Sequence, residues 1–99
     1  MAPYTIDMTD EAEEDLRYYR AYERQQIVND IQVQLVHEPG KETNSRKSLR
    51  QNPIASWELK AGKYRIFYEI GDKEQVVIII SVGHKEHNVL YIRGKAVKL

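Results

Sequence analysis

The chain contains no cysteine. That excludes a disulfide framework and a thiolate metal site. No apolar stretch approaches the ~18 residues of a membrane span. The N-terminus lacks the basic and apolar regions of a signal peptide. There is no glycine-rich phosphate loop and no nucleophile motif. No repeat, linker or low-complexity segment interrupts the pattern. Net charge is also missing, because 15 basic side chains balance 15 acidic ones. A uniformly basic nucleic-acid binder is therefore excluded. These absences predict one cytoplasmic domain over residues 1–99, with no membrane partner. A chain of this size buries about 65% of its unfolded surface, enough for one modest core.

What is present is unevenly distributed. Residues 1–23 carry seven acids and two bases, a net of −5. The remainder carries thirteen bases and eight acids, a net of +5. A neutral total can conceal a basic face, which would attract phosphate. The plain alternative is an ordinary solvated surface.

Tyr4 to Met8 suggest a short first strand. Thr9 and Asp10 offer N-caps, and Asp10 to Glu13 has capping-box spacing. A first helix is expected from Asp10 to about Tyr22, with Ala12, Leu16 and Tyr19 on one face. Ile27, Ile31 and Leu35 repeat every four residues and mark a second helix, ended by Pro39-Gly40. Lys41 to Pro53 reads as a basic loop. Ile54 to Lys60, Tyr64 to Ile70 and Val76 to Val82 read as strands, with a tight turn at Ala61-Gly62. Val76 to Val82 is apolar at almost every position, so it belongs mid-sheet with both faces partly covered. The expected class is α+β: a small twisted, mainly antiparallel sheet in the order strand-helix-helix-strand-strand-strand. Both helices pack on one face.

The strand over Val76 to Val82 stops at Gly83 and then releases His84, Lys85, His87 and Tyr91 within eight positions. Alternation places Arg65, Phe67 and Glu69 on one face, and Tyr64, Ile66, Tyr68 and Ile70 on the core side. Arg65 on an open face is suited to clamp a phosphate bidentately. The plain alternative is a cross-strand pair with Glu58. Histidine is the side chain best tuned to carry protons near neutral pH, which singles out His84 and His87. Their spacing does not make a metal site without a third ligand, so no metal or cofactor is expected. Tyr91 is compatible with core packing, with base stacking or with proton transfer at a ribose.

Three features together resemble the RelE/ParE superfamily of type II toxin–antitoxin toxins. They are W-E-L-K-x-G-x-Y-R-I-x-Y (Trp57 to Tyr68), V-V-I-I-I-S-V-G-H-K-E (Val76 to Glu86) and Tyr91. RelE-like members cleave mRNA on the ribosome without a metal, through attack of the 2′-OH on the adjacent phosphate. The resemblance implies that Arg65 steadies the phosphate, that Lys85 replaces a second arginine and that Tyr91 meets the 2′-OH. It further implies RNA or ribosome contact by Lys41, Arg46, Lys47, Arg50, Lys60, Lys63 and Arg93. A cognate antitoxin is the implied partner, docking over the basic run Arg93 to Lys98. Operator DNA would be bound only through that antitoxin.

Ser56 and Glu58 stand where RelE has lysines, one of them active in proton transfer. His84 or His87 is the expected substitute, as in relatives of the HigB and YoeB kinds. Two competing readings remain: a ParE-like inhibitor of DNA gyrase that acts by binding, and a degenerate homologue that acts only in autoregulation.

Overall fold

The computed structural model describes residues 2–98. Its elements are β1 (Thr5–Met8), α1 (Asp10–Arg17), α2 (Ala21–Leu35), β2 (Arg46–Ser48), β3 (Trp57–Ala61), β4 (Tyr64–Gly71), β5 (Val76–Glu86), β6 (Val89–Ile92) and β7 (Lys95–Val97). One sheet runs β2-β3-β4-β5-β6-β7, and β1 pairs in parallel with β5. The α+β class and the two helices on one sheet face agree with the sequence reading. No described helix is long and apolar enough to cross a membrane.

Thr9, not Asp10, caps α1, its hydroxyl accepting from the Ala12 amide at 3.1 Å. The expected first helix runs too far. It ends at Arg17, and Ala21 and Tyr22 open α2 instead. At that boundary the Arg20 amide donates to the Glu23 carboxylate at 3.1 Å, satisfying an N-terminal donor of the second helix. The break lets Tyr19 turn into the core, where it is 5% exposed. Ala12 with Ile27, Ile31 and Leu35 then packs on Leu59, Ile66, Tyr68, Val77, Ile79 and Val82.

Three strands escaped the sequence reading. β2 lies inside the expected loop and pairs Lys47 with Glu58. Its three charged or polar residues carry no apolar alternation, as suits an edge strand. β6 and β7 lie after Val82, beyond the last strand read from the sequence. Each follows a two-residue turn with both central residues at positive φ: His87 and Asn88, then Arg93 and Gly94. These are type I′ hairpins, whose twist matches that of the flanking strands.

The central strand carries a bulge. Phe67 pairs with Ser81 and Tyr68 with Ile79, leaving Ile80 as an extra residue in β5. The extra residue inverts the alternation. Val77 and Ile79 face the helices before it, and Val82 and His84 after it. Ile80 joins a second cluster with Ala55, Phe67 and Leu90 on the opposite face. Both faces of the central strand are thus partly covered, as its composition requires.

Burial pushes the hydroxyl pKa values of Tyr19, Tyr64 and Tyr68 above the ordinary 10.0, and the Glu23 carboxylate adds to the effect at Tyr64. Above pH 10 the unfolded chain loses these protons while the folded chain keeps them. Stability is therefore complete below that value and falls as pH rises through it. Urea titrations at about pH 8 and about pH 11 should show a lower midpoint at the alkaline value, and Tyr68→Phe should reduce the difference. An unchanged midpoint would contradict this account.

Candidate functional site

The bulge and the hairpin registers sort the candidate residues onto two faces. Directly opposed residues in a sheet share a face. Lys60 opposes Arg65, and Arg65 opposes Gly83. Lys85 opposes Leu90, which belongs to the second cluster on the face away from the helices. Lys60, Arg65 and Lys85 therefore share this open face. A Cβ on Gly83 would meet the Tyr91 carbonyl at 2.5 Å, so only glycine lets β6 cross this closely.

Arg65 is half-buried, and one guanidinium nitrogen, Nη1, donates to the Gly62 and Tyr64 carbonyls at 2.9 Å each. Its remaining donors have no partner among the described residues. The expected alternative pairing with Glu58 does not occur, because Glu58 lies opposite Phe67 and Lys47. Lys85 borders an open groove of about 560 Å³ whose lining includes Val89, Leu90, Val97 and Lys98.

His84 and Tyr91 lie on the helix face. They oppose each other, with ring centroids 5.6 Å apart and planes 20° apart. His84 is 9% exposed, and its Nδ1 lies 2.6 Å from the Tyr19 hydroxyl. Its Nε2 lies 3.5 Å from the Glu86 carboxylate. His87 is exposed at the tip of the β5–β6 turn. The five sequence candidates do not converge. Arg65 and Lys85 share one face, His84 and Tyr91 the other, and His87 stands on the rim.

The other cations divide as well. Arg46 donates to the Lys41 and Gln34 carbonyls and ties its loop to α2. Arg93 Nε approaches the Asp15 carboxylate at 2.9 Å. Lys41 and Lys63 lie 3.8 Å from Glu38 and Glu23. Lys47, Arg50 and Lys60 are exposed. Among the described residues no three histidine, cysteine, aspartate or glutamate side chains group to hold a metal ion.

Asp15 was missed as anything but an acid in an acidic helix. It is 1% exposed and plugs the gap between β1 and β6 along β5. Its Oδ2 accepts from the Ser81 hydroxyl at 2.7 Å and the Val82 amide at 3.1 Å. Its Oδ1 faces Arg93 as an ion contact, without hydrogen-bond alignment to any described donor. The available signal was spacing: Asp15 lies three residues after Ala12 and four before Tyr19, on the apolar stripe.

The family model of the ParE toxin of type II toxin–antitoxin system, parDE, matches residues 6–89. The chain belongs to this toxin family. Among solved structures, the RelBE2 toxin–antitoxin complex of Mycobacterium tuberculosis is similar, with TM-score 0.75 and 29% identity. That match covers 86% of this chain and 94% of the other. A mutant of the E. coli toxin RelE in the free state matches with TM-score 0.64 and 31% identity, covering 87% of this chain and 86% of that one. The archaeal RelE–RelB complex of Pyrococcus horikoshii OT3, at 15% identity and TM-score 0.66, shows the shared fold alone; it covers 85% of this chain and 97% of that one. No curated protein matches the chain. The protein is a RelE/ParE-type toxin of a type II toxin–antitoxin system.

Proposed function

We propose that the toxin is a ribosome-dependent, metal-independent mRNA endoribonuclease of the cytoplasm, silenced by a cognate antitoxin. The supporting observation is Arg65, whose remaining guanidinium donors have no partner among the described residues, flanked by Lys60 on β3 and by Lys85 beyond Gly83. Three cations on one sheet face suit the negative charge that builds on a phosphorane. The 31% identity to E. coli RelE points the same way.

The cleavage needs a proton taken from the 2′-OH and one given to the 5′-oxygen. His84 is buried and bonded to Tyr19, so His87 is the histidine free to exchange protons with a substrate. Its backbone at φ 51 would be strained by most replacements. His87→Asn keeps a residue tolerant of that conformation and removes the imidazole. It should lower cleavage about 10²-fold, near the lower end for one acid–base role, without lowering thermal stability. Full activity in His87→Asn would remove this histidine from the mechanism.

The second reading is a ParE-like inhibitor of DNA gyrase that acts by binding. The separation of His84 and Tyr91 from Arg65 by the sheet favours it. Pulse labelling after induction discriminates the two. Protein synthesis should fall first, with new 5′ ends in ribosome-bound mRNA, and antitoxin co-expression should restore growth. If DNA synthesis stops first and mRNA stays intact, the ribonuclease reading is wrong.

The groove beside Lys85 supplies a surface for the antitoxin. Its apolar floor and its lysines, Lys85 and Lys98, suit an acidic amphipathic segment. Occupying it would cover Lys85 and part of the open face. Ala96, Val97 and Lys98 of the expected docking run line this groove, whereas Arg93 of that run contacts Asp15.

A further inference from the structure

We infer that the β6–β7 hairpin is a flap latched shut by Arg93 on Asp15, and that the groove beside Lys85 is whole only while the latch holds. That the groove receives the antitoxin rests on the reading above; the latch does not depend on it. The hairpin joins the sheet along one short stretch. β6 pairs with β5 over three positions, His84 to Glu86, and β7 pairs with β6. On the open face Leu90, Ile92 and Val97 join the second cluster. On the helix face the hairpin is held by its tip. Extending the β5–β6 register by two residues brings Arg93 level with Val82. That position lies between the pairing of β1, which ends at Ile79, and that of β6, which starts at His84. Asp15 reaches the same position from α1. Its Oδ2 is taken by Ser81 and Val82, which leaves Oδ1 to hold Arg93 Nε at 2.9 Å. Beside this contact the tip rests on Tyr18: a Cβ on Gly94 would meet the Tyr18 hydroxyl at 3.0 Å.

Two features mark this contact as a latch and not a fixed joint. Arg93 sits at φ 49, a left-handed conformation that glycine, asparagine and aspartate adopt more readily. Such a residue keeps its conformation where its surroundings hold it, and here the side chain is what is held. The hold is also releasable. Asp15 Oδ1 receives no aligned hydrogen bond, and Arg93 is half-exposed, so water can replace the carboxylate at the guanidinium. Asp15 keeps its two donors from β5 when Arg93 leaves. Release has a defined consequence for the groove. Apart from Lys85, every residue that lines it lies at or beyond the β5–β6 turn. A hairpin swung away from Asp15 carries Val97 and Lys98 away from Lys85 and takes the groove apart.

Native-state hydrogen exchange on the full chain tests the latch. The β6 and β7 amides should exchange ahead of those of α2, and with a weaker dependence on urea, because they open as a separate unit. Two variants release the latch from opposite sides. Arg93→Ala removes the guanidinium. Asp15→Asn keeps an oxygen for Ser81 and Val82 and removes the charge facing Arg93. Each should speed exchange in the hairpin about fivefold, as for a half-exposed ion pair. The double variant should add little, because both changes break one contact. Hairpin amides that exchange only in step with α2, or that keep the wild-type rate in Asp15→Asn, would overturn the inference. The cognate antitoxin, at a hundred times its Kd, should slow hairpin exchange about a hundredfold by holding the flap shut. A complex whose hairpin exchanges as in the free toxin would place the antitoxin elsewhere and remove the groove reading alone. The rates in the free protein would still decide the latch.

Discussion

Arg65→Ala should relieve growth arrest while leaving the toxin folded. The guanidinium is half-buried, and its two bonds go to carbonyls at the exposed β3–β4 turn. Water replaces such partners readily, so the stability cost should stay near ~1 kcal/mol. The chemical cost is much larger. A donor fixed beside a developing oxyanion is typically worth ~10²–10³ in rate. Lys60 and Lys85 remain on the same face but present point charges in place of a fork. Arg65→Lys should therefore recover only part of the loss. Cleavage of ribosome-bound mRNA, measured beside a thermal melt, separates the two costs. If Arg65→Ala cuts mRNA at the wild-type rate, the open face is not the phosphate site.

Asp15→Ala should have the largest effect on stability. The carboxylate is buried, yet it joins α1, β5 and the β6–β7 turn. Its removal leaves the Val82 amide and the Ser81 hydroxyl without their acceptor. Each orphaned buried donor costs ~1–3 kcal/mol, while losing the buried charge itself offsets part of the total. A net loss of about 2–4 kcal/mol follows, a large share of a typical ~5–15 kcal/mol. In a domain of this size that lowers Tm by roughly 10–30 °C. Arg93→Ala should cost less, about 1 kcal/mol, because Arg93 is half-exposed and Asp15 keeps its two hydrogen-bond donors. A wild-type melting curve for Asp15→Ala would show that the plug is dispensable.

The helix stripe was legible because Ile27, Ile31 and Leu35 follow the helical period, and each is buried as that period requires. The Gly62 turn was legible because glycine at φ 61 allows a two-residue hairpin. β2 and β7 were not legible. Three-residue strands of polar or mixed character hold their place through partners, not through their own pattern. Asp15 was hidden for a related reason. An acid on an apolar stripe gains its acceptor role only where a strand gap leaves the Val82 amide without a strand partner.

Local sequence alone determined the α+β class, the capped first helix, the apolar central strand and the motifs that mark the toxin family. These depend on neighbours within a few residues, which the period of each element exposes. Only the tertiary structure decided which face each candidate occupies. The sequence places His84, Lys85 and Tyr91 within eight positions, with Arg65 on the strand before them, but a strand alternates faces at every step. The bulge at Ile80 shifts that alternation by one residue in β5. It arises from pairing with β4, some ten residues earlier in the chain. That shift puts Lys85 with Arg65 on the open face, and buries His84 under Tyr19 with Tyr91 stacked against it.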